Sequence, residues 1–174
     1  MKYILAPALL LFSMLAQAAP FIEIGDLHLY LANSGMTTSG PIKEYLPSGE
    51  TLESWNRLAS IRVFSKQTDP NAYLEGLGKQ VTKDNPAARY QILKSESGVV
   101  VLDFLTFSDL SIPQPFAEWN LMKATYVPGK GLVLYQYAMR IYMIDDTLPQ
   151  KIGMERLKVL PTFGQATFLE VNGG

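Results

Sequence analysis

Residues 116–142 constrain this chain more than any other stretch. Phe116 to Val127 and Leu132 to Tyr142 are two long runs rich in aliphatic and aromatic residues, joined by Pro128-Gly129-Lys130-Gly131. Such runs around a glycine-bearing turn read as an antiparallel hairpin. With Val127 opposite Leu132, the pairs Tyr126/Val133, Ala124/Tyr135, Met122/Tyr137 and Asn120/Met139 share one face. That face is large and apolar and needs cover, most simply from helices. The opposite face is mixed, carrying Thr125/Leu134, Lys123/Gln136, Leu121/Ala138 and Trp119/Arg140. A slip of one residue would exchange these faces.

The remaining chain supplies partners for the hairpin. Arg89 to Lys94 and Val99 to Ser108 form a second hairpin about the turn Ser95-Glu96-Ser97-Gly98. Phe21 to Ala32 is a first strand with an irregularity at Gly25-Asp26, and Asn33 to Pro41 is small, polar and glycine-rich, which reads as a loop. Ile42 to Leu46 and Trp55 to Ser65 add two further strands. Asp69-Pro70 opens a helix: Asp69 can cap free backbone N–H groups, and Pro70 suits the first helical position. Leu74, Leu77 and Val81 form its apolar stripe, and Asn85-Pro86 ends it. A second helix is expected from Asp145-Asp146-Thr147 to about Leu160, where Pro161 stops it. The expected fold is α+β: an antiparallel β-sheet of about 5–7 strands with two main helices packed on it.

The first eighteen residues read differently. Lys2 precedes the apolar run Tyr3 to Leu15, and Ala16-Gln17-Ala18 has the small-x-small form of a cleavage site. That is the layout of a secretory signal peptide, too short to span a bilayer. Residues 1–18 are therefore expected to be a leader, and 19–174 a single α+β domain, periplasmic or secreted, with no transmembrane segment after cleavage. No cysteine follows the apolar run, so lipid attachment there is excluded.

Composition narrows the chemistry. Charged residues are 18% of the chain, hydrophobic residues 48% and the formal charge is −1, which excludes a disordered chain and disfavours nucleic acid as a partner. There is no cysteine and one histidine, His28, so disulfides are ruled out and zinc chemistry is disfavoured. His28 lies in the first strand without a nucleophile-elbow motif anywhere in the chain. Asp145-Asp146 lacks a calcium-loop pattern and reads as a helix cap. Asp103, Asp109 and Glu118 are candidate carboxylates for hydrolysis, but a chain with 16 acidic residues holds such pairs by chance. No catalytic residue, metal or cofactor is expected.

The mixed hairpin face gives the one candidate binding constellation. Arg140 opposite Trp119 would stack its guanidinium over the indole, with Lys123, Gln136 and, from the neighbouring strand, Asp103 completing a charged cluster. Such a surface would take a small amphipathic ligand or a partner's side chains.

The order of these elements resembles the PsbP-like periplasmic domains of exported bacterial proteins. Trp55-Asn56-Arg57-Leu58 and Tyr137-Ala138-Met139-Arg140 carry the similarity at residue level. The resemblance implies an antiparallel sheet flanked by helices and a non-enzymatic accessory or ligand-binding role in the bacterial envelope. An envelope protein or a small amphipathic ligand is then the expected partner. The competing expectation is a carboxylate-dependent hydrolase with a cleft between sheet and helix.

Overall fold

Antiparallel pairing runs through almost the whole chain. The computed structural model describes residues 20–94 and 99–165; the expected leader and the turn at 95–98 lie outside the described residues. In order, the elements are β1 (Phe21–Ile24), β2 (Leu27–Thr37), β3 (Gly40–Leu46), β4 (Arg57–Phe64), α1 (Pro70–Asp84), β5 (Arg89–Lys94), β6 (Val100–Phe107), β7 (Ala117–Val127), β8 (Gly131–Ile141) and α2 (Leu148–Gln165). The strands form one sheet in the order β1-β2-β3-β4-β8-β7-β6-β5, curled into a half-barrel. The class is α+β as expected, but the sheet has eight strands rather than about 5–7.

The extra strand comes from the N-terminal region. The irregularity at Gly25-Asp26 is a full reversal, so Phe21 pairs with Tyr30 and Ile24 with Leu27. The expected loop at 33–41 is instead a ladder in which Asn33 pairs with Glu44 and Thr37 with Gly40. Small polar residues lack the apolar alternation that marks a strand, yet backbone pairing does not require it. Here the neighbouring strand supplies the hydrogen bonds, and Thr37 Oγ1 adds one to the Gly40 carbonyl at 2.7 Å.

The helices cover opposite faces. Beneath α2 lie Tyr45, Ala59, Ile61, Trp119, Leu121, Tyr135, Tyr137 and Met139, with Ile152, Val159 and Phe163 projecting from the helix. On the other face Leu74 of α1 packs with Val100, Leu102, Phe104, Met122, Leu132 and Leu134. α1 begins as expected: Asp69 accepts from the Asn71 and Ala72 amides, both at 3.0 Å, with Pro70 in the first turn. α2 departs from expectation at both ends. Asp145 instead caps a turn, taking the Thr147 amide at 2.9 Å, and the helix starts at Leu148. It also runs through Pro161 to Gln165. Pro161 is exposed, and the carbonyl whose helical bond it removes belongs to Leu157, also exposed, where water can replace the bond.

The register of the long hairpin differs by one residue from the expected one. Val127 pairs with Gly131, so Lys123 faces Tyr135, Trp119 faces Met139 and Glu118 faces Arg140. Gly131 belongs to the strand rather than to the turn. It takes a φ of +99°, and a Cβ there would lie 2.5 Å from the Phe64 carbonyl oxygen. Every residue of β8 therefore lies on the face opposite to that assigned from the sequence.

Candidate interaction site

The slip separates the residues singled out from the sequence. Trp119, Lys123 and Asp103 face α2, whereas Gln136 and Arg140 face the other way. Trp119, Lys123, Gln136 and Asp103 are all buried. The Trp119–Arg140 stack does not form. Arg140 lies over the rings of Trp55 and Phe116, 3.9 and 4.5 Å from their centroids, and its Nε donates to Glu118 at 2.9 Å. Gln136 accepts the Ser60 hydroxyl at 3.0 Å and donates to Asn120 at 2.7 Å. The mixed sheet face is spent on internal hydrogen bonds.

Under α2 the polar groups hold the helix down. Trp119 Nε1 and Arg156 Nη2 both donate to Asp103, at 2.7 and 2.8 Å, and Gln91 adds a third bond at 3.0 Å. The preceding residue of the helix pairs with the opposite charge. Glu155 takes a two-pronged contact from Arg57, Nε at 2.7 Å and Nη2 at 3.2 Å, and accepts the Tyr137 hydroxyl. Burial works against ionising Glu155, but hydrogen bonds from Arg57 and Tyr137 outweigh it and hold the carboxyl below its ordinary value. Burial and the same bond push the Tyr137 phenol up. Lys123 donates to the carbonyls of Phe163 and Gly164 at 2.9 and 3.4 Å, capping the end of α2, and burial lowers its pKa. Sequence reasoning missed Glu155, Arg57 and Tyr137. The available signal was Glu155 itself, which falls on the apolar stripe Ile152, Val159 and Phe163.

The other groups weighed for chemistry lie apart. His28 stands on the exposed β1–β2 hairpin, 3.5 Å from Glu23 and stacked on Phe21. Glu118 is bound to Arg140, and Asp109 accepts the Ser111 amide of its own loop at 2.8 Å. Among the described residues no group of three or more His, Asp or Glu side chains is placed to hold a metal ion. Cavities lie on both sides of the sheet among the described residues. One of about 310 Å³ lies between the end of α2 and the β5–β6 strands; a groove of about 410 Å³ runs along α1. Neither Asp103 nor Glu155 lines either of them.

What the fold leaves unspent is at one end of the sheet. The loops at 47–56, 108–116 and 142–147 leave the neighbouring strands β3/β4, β6/β7 and β8 on the same side, as the pairs Phe107/Ala117 and Ala117/Ile141 and the bond from the Arg140 amide to the Asn56 carbonyl require. They expose Leu52, Leu110, Ile112, Met143 and Ile144; Leu110 and Met143 are 69% and 68% accessible. The same loops hold Glu50, Glu53, Asp109, Asp145 and Asp146, and no lysine or arginine. Hydrogen bonds from nearby backbone and hydroxyl groups keep the Glu53, Asp109 and Asp145 carboxyls below their ordinary values. Arg140 stands at the base of this end, gripping two of the loops through Trp55 and Phe116.

A protein-family model matches residues 17–168, most of the chain. The chain belongs to that family. The family match takes in all ten elements of the α+β sheet described above, including the three loops. No curated protein and no solved structure matches the chain. Among the described residues no helix is long and apolar enough to cross a membrane.

Proposed function

We propose that this protein is an exported accessory module of the bacterial envelope that docks a partner protein through the loop-bearing end of its sheet. One observation carries the reading: five exposed apolar side chains and five carboxylates are gathered on three adjoining loops that hold no lysine or arginine of their own, with Lys151 of α2 reaching only Asp145, at 3.5 Å. Contiguous exposed apolar surface with a polar rim is characteristic of protein contact sites. The uniform sign of the charge selects a partner that presents lysine and arginine around an apolar centre, and steers its approach. Export is supported by the leader-like composition of residues 1–18. The PsbP-like reading belongs to the same proposal. It is supported by the order of elements and by helices on both faces of the sheet.

Docking on the sheet face itself has no such support, since α2 and the internal hydrogen bonds occupy the residues concerned. The hydrolase reading would use the two carboxylates that do lie between sheet and helix, Asp103 and Glu155. Each is held by a guanidinium, which suits clamping rather than proton transfer. A small amphipathic ligand retains one supporting observation, the cavity lined by Leu93, Val99, Val101 and Leu160.

Site-specific photo-crosslinking in intact cells tests the proposal. A photoreactive residue at position 110 or 143 is expected to capture a partner through a peptide rich in lysine and arginine, and less of it at high salt. The same probe at Lys79 or Lys83, on the outer face of α1, is expected to capture none. Equal capture at both sets of positions, or an acidic captured peptide, overturns the docking surface.

A further inference from the structure

Past Leu160, α2 turns Phe163 into the core but brings only Pro161, Gly164 and Gln165 to the side of β5 and β6. At Gly164 a Cβ would meet nothing within 4 Å. The space left open is the cavity of about 310 Å³, walled by Leu93 of β5, by Val99 and Val101 at the start of β6, and by Leu160. Val101 is buried, whereas Leu93, Val99 and Leu160 are only partly so, although all four belong to the core beneath α2. An apolar recess of this volume falls within the range of small-molecule sites.

The charge of the lining has one sign. Lys94, the last residue of β5 at the edge of the sheet, is the only charged side chain among the described lining residues. Among the described residues it forms no ion pair. Lys123, the strand partner of Val101, does not act as a second binding cation, because its ammonium is committed to the carbonyls of Phe163 and Gly164. The cation therefore stands at the edge and the apolar wall lies inside it.

We propose that this cavity binds a single-chain carboxylate, with its hydrocarbon chain along Leu93, Val101 and Leu160 and its anionic head at Lys94. Burying the chain supplies the affinity, and the exposed ammonium selects the sign of the head. The site deepens the small-ligand reading above and is separate from the docking loops: Lys94 pairs with Val100, at the end of β6 opposite to Phe107 and the loop at 108–116.

The methyl signals of Leu93, Val99, Val101 and Leu160 read the site in the 13C-methyl-labelled protein. Octanoate is expected to shift them to saturation and to leave Leu74 and Leu132, under α1 on the other face, unmoved. Hexanoate should bind more weakly, by about fourfold for each methylene lost. Octan-1-ol on the wild type, and octanoate on Lys94→Gln, each lose the charge contact and should bind about threefold more weakly; octylammonium should bind more weakly still. Gly164→Leu fills the cavity from the helix side and should abolish saturation without lowering the melting temperature. Shifts that never saturate, or a Gly164→Leu variant that binds octanoate like the wild type, overturn the site. Equal binding of octanoate and octylammonium overturns the carboxylate assignment. Contacts from Phe168 or Leu169 to these methyls in the ligand-free protein would make the chain's own C-terminal residues the occupant, and would overturn the proposal as well.

Discussion

Glu155 stands where the apolar stripe of α2 asks for an aliphatic side chain. Taking a carboxylate out of water is costly unless charge and hydrogen bonds replace the solvent, and here Arg57 and Tyr137 do so. Removing one partner leaves the other charge stranded, so Glu155→Gln is expected to destabilise the protein by about 3 kcal/mol near neutral pH. The folded carboxyl titrates below its unfolded value of 4.5, so the pair's contribution is fully present above that pH. It is lost as the pH falls through the lower folded value. Denaturant unfolding between pH 7 and pH 3 should therefore show the wild type losing stability more steeply than Glu155→Gln below 4.5. Parallel curves would mean that the contact contributes no linkage. Residues of this kind are hard to find in a sequence. Arg57 and Glu155 lie 98 positions apart, and only the misplaced carboxylate on an apolar stripe marks one half of the pair. Arg140 was legible as an aromatic-stacking cation, yet its ring partners are Trp55 and Phe116, chosen by a register no side-chain pattern specifies.

Both helices and seven strand regions were legible because apolar periodicity and capping act locally. The Asp69-Pro70 start of α1 needs only its own neighbours. What failed were features decided by contacts from elsewhere: the polar ladder of β2 and β3, the Gly131 register, and the continuation of α2 past Pro161. Glycines inside the helices separate local from tertiary control. At Gly153 a Cβ would meet nothing within 4 Å, so Gly153→Ala should gain about 0.5–1 kcal/mol by restricting the unfolded chain and favouring helix. At Gly78 it would lie 2.7 Å from two ring carbons of Tyr90 and 3.1 Å from Leu102. Gly78 therefore lets α1 settle against β5 and β6, and Gly78→Ala should cost about 1–3 kcal/mol through overpacking. Thermal melts of the two variants should move in opposite directions. A common upward shift would show that Tyr90, which is partly exposed, swings aside at no cost.

On the scale of the whole molecule, charge and aromatic side chains are sorted by the two helices. Those on the sheet faces fasten α2 or bridge strands, while the end carrying the three loops keeps exposed apolar side chains beside carboxylates such as Asp109 and Asp145, which bond backbone amides of their own loops. That sorting predicts how variants separate stability from association. Leu110→Ser with Met143→Ser removes two highly exposed side chains, and such surface changes usually alter stability by under about 0.5 kcal/mol. The melting temperature should hardly change, while capture of the basic partner falls. Arg140→Ala acts on both quantities, because it frees the loops bearing Trp55 and Phe116 and strands Glu118 without a cation. Glu155→Gln, across the sheet, should lower stability and leave association intact wherever the protein remains folded. A double loop variant that melts like the wild type and still captures the partner would place the contact elsewhere. A loop variant that unfolds would show that these side chains serve the core after all.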